Sequence, residues 1–159
     1  MVLIIAGEGG HFEQMLRLND YLLNNFSAVQ ILGITDSSRE SDRINLVKVV
    51  NISKISKSSK IYSKLGTILI LLYLFAYFLF FFIRNKPSSV LLLGPMIAVP
   101  AAFASKVLGI KCAFIESWSR FESPTKTGKI ALMLGIPYYY QNLSLGSKLG
   151  SDGEYVGRL

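Results

Sequence analysis

Residues 1–14 read MVLIIAGEGGHFEQ, and this stretch decides the fold. Val2 to Ala6 is an unbroken apolar run, the pattern of a strand buried on both faces of a sheet. Gly7 to Gly10 interrupt it. From His11 to Asn25, Phe12, Met15, Leu16, Leu18, Leu22 and Leu23 recur at helical spacing. Strand, glycine turn and helix in that order open an α/β domain that handles nucleotides or phosphates. Glycines let the backbone turn sharply and approach a ligand, and the helix start offers unpaired N–H groups to an anion.

The alternation continues down the chain. Ala28 to Ile34, Leu46 to Ile52, Val90 to Leu93, Cys112 to Ile115 and Pro137 to Gln141 read as strands. Helices are predicted around Val99 to Leu108 and over Thr125 to Leu134. This pattern predicts an α/β fold: a Rossmann-like, doubly wound, mostly parallel sheet of six strands in the order 3-2-1-4-5-6. At 159 residues the chain fits one domain, residues 1–159.

One segment has the wrong composition for a soluble domain. Leu65 to Ile83 reads LGTILILLYLFAYFLFFFI, with no charge. At about 1.5 Å per residue it reaches nearly 30 Å, the thickness of a bilayer core. A spanning helix would leave the strands on either side of it on opposite membrane faces, although both should join one sheet. Lys54, Lys57, Lys60 and Lys64 precede the segment, and Arg84 and Lys86 follow it. Cations at both ends favour one side, the cytoplasmic one. The expectation is a monotopic or re-entrant element on the cytoplasmic face of the inner (plasma) membrane, with Leu72, Phe75, Phe78, Phe80 and Phe82 toward lipid; the alternative is a helix buried by protein contacts, a partner chain's included. The formal net charge of +7 calls for an anionic partner. Its placement around the apolar helix suits an anionic membrane surface rather than nucleic acid. A phosphate-handling domain with its own bilayer-seeking helix suggests chemistry on a lipid-linked substrate.

The candidate chemistry lies where strands end. His11 is the only histidine, and it starts a helix at the carboxyl edge of the sheet, where such folds bind ligands. Gly9 and Gly10 precede it, and Gln14 shares its helix face. Gly94-Pro95 follows the fourth strand at the same edge. After the fifth comes Glu116-Ser117-Trp118-Ser119-Arg120, an aromatic among polar groups, as a sugar or pyrophosphate would need. Cys112 is the only cysteine, so no disulfide or cysteine zinc site forms within the chain. One His and no clustered carboxylates leave metal sites unsupported. The glycine spacing is not GxGxxG, and no acid clearly ends the second strand, so NAD is disfavoured and no cofactor is expected.

GEGGHFEQM from Gly7, LLLGPMIAVPAAFASKVLGIKCAFIESWSRFESPTKTGK from Leu91 and YVGRL from Tyr155 resemble the Alg-fourteen/PssD family of polysaccharide-biosynthesis proteins. The resemblance covers nearly the whole chain, and ESWSRFESPTKTGK is its most specific part. It implies the N-terminal half of a split GT-B glycosyltransferase of the MurG type. The half that binds the UDP-sugar would be a separate catalytic chain, with the UDP-sugar at the subunit interface. This half would supply membrane attachment and the site for a lipid-pyrophosphate-linked sugar acceptor.

Eukaryotic relatives extend dolichol-pyrophosphate sugars and carry an N-terminal transmembrane anchor. This chain's membrane segment is internal, which fits bacterial relatives that serve capsule, exopolysaccharide or O-antigen assembly on undecaprenyl-pyrophosphate sugars. The implied activity is that of a glycosyltransferase (hexosyltransferase) subunit, active only in a heterodimer. The resemblance puts Gly9, Gly10 and the catalytic candidate His11 near the acceptor, with Glu116, Ser117 and Arg120 across the cleft. It assigns Tyr155, Val156, Gly157, Arg158 and Leu159 to the partner interface. The alternative is a non-enzymatic membrane scaffold that localises or activates its partner.

Overall fold

The computed structural model of the chain describes residues 1–49 and 62–157. The expected residues Val50 to Ile52 of the third strand, the connector Ser53 to Lys60, Arg158 and Leu159 lie outside them. In chain order the elements are β1 (Val2–Ala6), α1 (Gly10–Asn25), β2 (Ile31–Thr35), β3 (Asn45–Lys48), α2 (Tyr62–Asn85), β4 (Ser89–Leu93) and α3 (Ala98–Val107). They continue with β5 (Cys112–Ile115), α4 (Lys126–Met133), β6 (Tyr138–Tyr140), α5 (Leu143–Leu149), a 3₁₀ turn (Gly150–Asp152) and β7 (Glu154–Tyr155). The sheet is wholly parallel, in the order β3-β2-β1-β4-β5-β6-β7. The expected order holds over six strands, and a seventh is added at the edge. β2 starts later than the sequence predicts, because Ala28 has a positive φ of 64° and belongs to a turn.

Side chains alternate across the strands and build two cores. Ile4, Ala6, Leu93 and Ile115 face α1, which covers them with Phe12, Met15, Leu16 and Leu18. Leu3, Ile5, Ile34, Val90, Leu92 and Phe114 face the opposite layer of α2, α3, α4 and α5. Small residues on α3, among them Ala98, Ala101 and Ala104, let that helix sit close to the sheet and to α2.

α2 packs through one stripe. Leu74, Phe78 and Phe82, four residues apart, are all but fully buried. Phe78 and Phe82 are therefore core residues, which corrects their expected membrane role. A helix apolar on every side carries no pattern that tells the protein face from the lipid face. Leu65, Ile68, Leu69, Leu72, Phe80 and Ile83 remain exposed. Only 17 % of the most apolar stretch is buried, and α2 is long enough and apolar enough to cross a membrane. The two outcomes separate cleanly. Phe78→Ala should cost about 3–5 kcal/mol of stability. Phe80→Ala should leave thermal unfolding in detergent unchanged and weaken only vesicle binding. Equal losses for both would contradict this division.

Candidate functional site

The sheet order reverses between β1 and β4, and their carboxyl ends form the crevice where open α/β sheets take ligands. Two loops meet there. Gly7 N–H donates to the Gly94 carbonyl at 3.2 Å. A Cβ on Gly7 would lie 2.2 Å from Pro95 Cδ, so only glycine allows the second loop to close on the first. Gly9, with φ 68° and ψ −130°, turns the chain into α1 in a conformation open to glycine alone. No side chain caps that helix start. A Cβ on Gly9 or Gly10 would meet nothing within 4 Å, so the space above them is open.

His11 sits against the second loop. Its Cε1 is 3.2 Å from where a Cβ on Gly94 would be. Its Nδ1 is buried and has no hydrogen-bond partner among the described residues. Burial holds the imidazole pKa below its ordinary 6.5; Glu116 opposes that shift and Arg120 adds to it. The ring is therefore neutral at pH 7 and able to accept a proton. The structure brings Gly9, Gly10, His11, Gly94 and the start of the β5–α4 loop to one edge.

Glu116 and Gln14 occupy different roles from those expected of acceptor ligands. Gln14 is fully buried, and its amide donates to the Glu116 carbonyl at 3.3 Å. Glu116 is 1 % exposed. Its carboxylate accepts from Tyr138 Oη at 2.6 Å, the Thr125 N–H at 2.8 Å, Thr125 Oγ1 at 3.0 Å and the Ser117 N–H at 2.9 Å. A carboxylate with these four internal donors is an anchor, not a ligand. Thr125 in turn caps α4 through the Gly128 N–H at 2.9 Å. Burial and the bond to Glu116 push the Tyr138 phenol upward, so it stays protonated and keeps donating.

The rest of the loop is pinned from outside. Gln141 donates to the Glu116 carbonyl at 2.9 Å, and Asn142 donates to the carbonyls of Trp118 and Arg120. The Arg17 guanidinium lies 4.9 Å from the centre of the Trp118 ring. What stays accessible is Ser117, whose hydroxyl shares a hydrogen bond with Ser119, and Arg120, which lines an open cleft of about 270 Å³ with Ser119, Phe121, Glu122 and Ser123. Thr125, Tyr138, Gln141 and Asn142 escape sequence reasoning. The capping Thr125 ahead of a helix was the one readable signal.

Asp36 directly follows β2 and is buried, with Oδ1 3.3 Å from the Cβ position of Gly7. The sequence reading that no acid clearly ends the second strand is thus corrected. Phe12 stands where a dinucleotide fingerprint needs its third glycine, and it is buried in the α1 core. Among the described residues no group of three His, Cys, Asp or Glu could hold a metal ion.

At the far edge, β7 pairs with β6, and the Tyr155 ring lies 5.9 Å from that of Tyr140. Tyr155 and Val156 are exposed, and Gly157 is half-buried with a positive φ.

Solved structures share this architecture. MurG from Acinetobacter baumannii superposes with a TM-score of 0.64 at 15 % identity, over 88 % of this chain and 40 % of that one. UDP-GlcNAc 2-epimerase from Methanocaldococcus jannaschii gives 0.56 at 12 % identity, over 99 % of this chain and 45 % of that one. The chain thus spans less than half the length of either, and at these identities the likeness concerns the fold: Rossmann-like, with GT-B neighbours. No curated protein matches the sequence significantly. The model of the family described as "Oligosaccharide biosynthesis protein Alg14 like" matches residues 2–159, and the chain belongs to that family.

Proposed function

We propose that this protein is the acceptor-binding, membrane-attached subunit of a two-component glycosyltransferase. It would act on a lipid-pyrophosphate-linked sugar in bacterial surface polysaccharide synthesis, at the cytoplasmic face of the membrane. One observation carries the reading: a neutral His11 stands at the switch point of a domain whose own crossover helix keeps a broad apolar face exposed. β3 and β4, which flank α2, lie in the same sheet, and this supports attachment without crossing. The donor is a UDP-sugar, carried by a partner chain docked along the β7 edge. The name of one fold relative, a UDP-GlcNAc epimerase, fits that class of ligand.

In this mechanism the acceptor's pyrophosphate lies near the α1 start and Arg120. His11 orients the acceptor hydroxyl and takes its proton. The hydroxyl oxygen forms a bond to the sugar's anomeric carbon, and UDP leaves with the electron pair of the broken bond. A panel of radiolabelled UDP-sugars with the co-expressed pair tests the reading. Label should enter the organic-extractable lipid only when both chains are present. Transfer by this chain unaided, or undiminished transfer by the partner without it, would overturn it.

A further inference from the structure

We infer that the groove between α2 and α3 holds the isoprenoid tail of the lipid-linked acceptor next to its pyrophosphate; this rests on the acceptor assigned above. The groove encloses about 330 Å³ and is lined by Ile68, Leu72 and Phe75 of α2 and by Val99, Pro100 and Phe103 of α3, among other apolar side chains.

Its level in the fold follows from element lengths. α2 has 24 residues, about 36 Å at 1.5 Å each. β4 has 5 residues, about 17 Å. The helix's C-terminal end meets the start of β4, where Lys86 N–H bonds to the Phe82 carbonyl and Ser88 N–H to that of Met1. The buried stripe Leu74, Phe78 and Phe82 covers the sheet, and the residues before it reach the carboxyl edge and beyond. α3 begins at that same edge. Val99, in the groove, is five residues from Gly94, which touches His11, so the two lie at most about 18 Å apart. A tail in the groove therefore delivers its headgroup to the edge that carries the Arg120 cation and the α1 start, whose N–H groups no side chain caps. That charge complementarity selects the occupant: an apolar chain ending in an anion.

A chain already dissolved in lipid gains no hydrophobic energy by entering an apolar groove. The groove gains contacts instead and holds the reacting end in place. It acts by position and selection rather than by bulk affinity.

The probe is a polyprenyl phosphate carrying a photoactivatable diazirine, presented to the full chain in phosphatidylglycerol vesicles. Cross-links should concentrate in residues 68–75 and 99–103 and be displaced by unlabelled polyprenyl phosphate. Val99→Trp, which fills the groove, should lower cross-linking about tenfold, equivalent to about 1.4 kcal/mol, with vesicle co-sedimentation unchanged. Phe103→Ser, at an exposed position, should act in the same direction. Labelling as dense at Phe80 and Ile83 as in the groove, displacement by excess phospholipid alone, or indifference to both substitutions would overturn the inference. Because the readout needs neither partner nor turnover, failed sugar transfer with a mapped groove would reject the proposed activity and leave the tail site standing. Sugar transfer with diffuse labelling would do the reverse.

Discussion

Replacing His11 by Ala is expected to lower turnover of the co-expressed pair by about 10²–10⁴-fold, the ordinary contribution of a positioned general base. The expectation rests on place and charge together. The ring packs on Gly94 at the switch point, and burial keeps it neutral. Since the folded pKa lies below 6.5, the active form persists as pH falls past 6.5 and is lost only below the lowered value. The acid limb of kcat/KM should therefore lie below 6.5 and vanish in the variant. The same shift enters stability. Between 6.5 and the folded value the unfolded chain binds a proton that the folded one refuses. The contribution of His11 to stability is thus full above 6.5 and declines as pH falls through that window. Co-purification with the partner should be unaffected by His11→Ala. Near wild-type turnover would reduce His11 to a structural residue and favour the scaffold reading.

Glu116→Ala is expected to be the most damaging change to the loop that faces His11. It removes the acceptor for the Tyr138 hydroxyl, both Thr125 donors and the Ser117 N–H. Each buried donor left without a partner costs about 1–3 kcal/mol, so a loss of about 3 kcal/mol or more follows. Tyr138→Phe removes one donor together with its bond and should cost about 1 kcal/mol. Chemical denaturation of the two variants in detergent measures the difference. Turnover should fall with Glu116→Ala as well, because α4 loses its capped start and residues 117–124 lose their anchor. A Glu116→Ala variant as stable as wild type would show that water replaces the carboxylate and that the network is dispensable.

The contrast between these residues explains what was legible in the sequence. His11 could be read because it follows an apolar strand and a glycine turn, a local pattern with a mechanism behind it. The strand order was read from the alternation of elements together with the usual order of doubly wound sheets. Glu116 was recognised as important but given the wrong task. Its partners Thr125 and Tyr138 lie 9 and 22 residues away, and nothing in the intervening residues announces that they converge. Gln14 was placed on the right face of α1, yet that face is closed by the Glu116 carbonyl. β7 is two residues long and follows a short helix containing Gly146, so no periodicity marks either. Phe78 and Phe82 could not be told from Phe80 within an all-apolar run. Only packing against the sheet distinguishes them.

If α2 is both a crossover helix of the sheet and the proposed membrane contact, the His11 edge works at the bilayer surface without the chain crossing it. Cysteine labelling in intact cells tests this most directly. Ser58→Cys, before α2, and Ser88→Cys, after it, are each treated with a membrane-impermeant maleimide. Cys112 contributes little background, because burial pushes its thiol up to about 11. Neither position should label from outside, and both should label after lysis. Labelling of one position from outside, with the other protected until lysis, would mean a spanning helix and would contradict this.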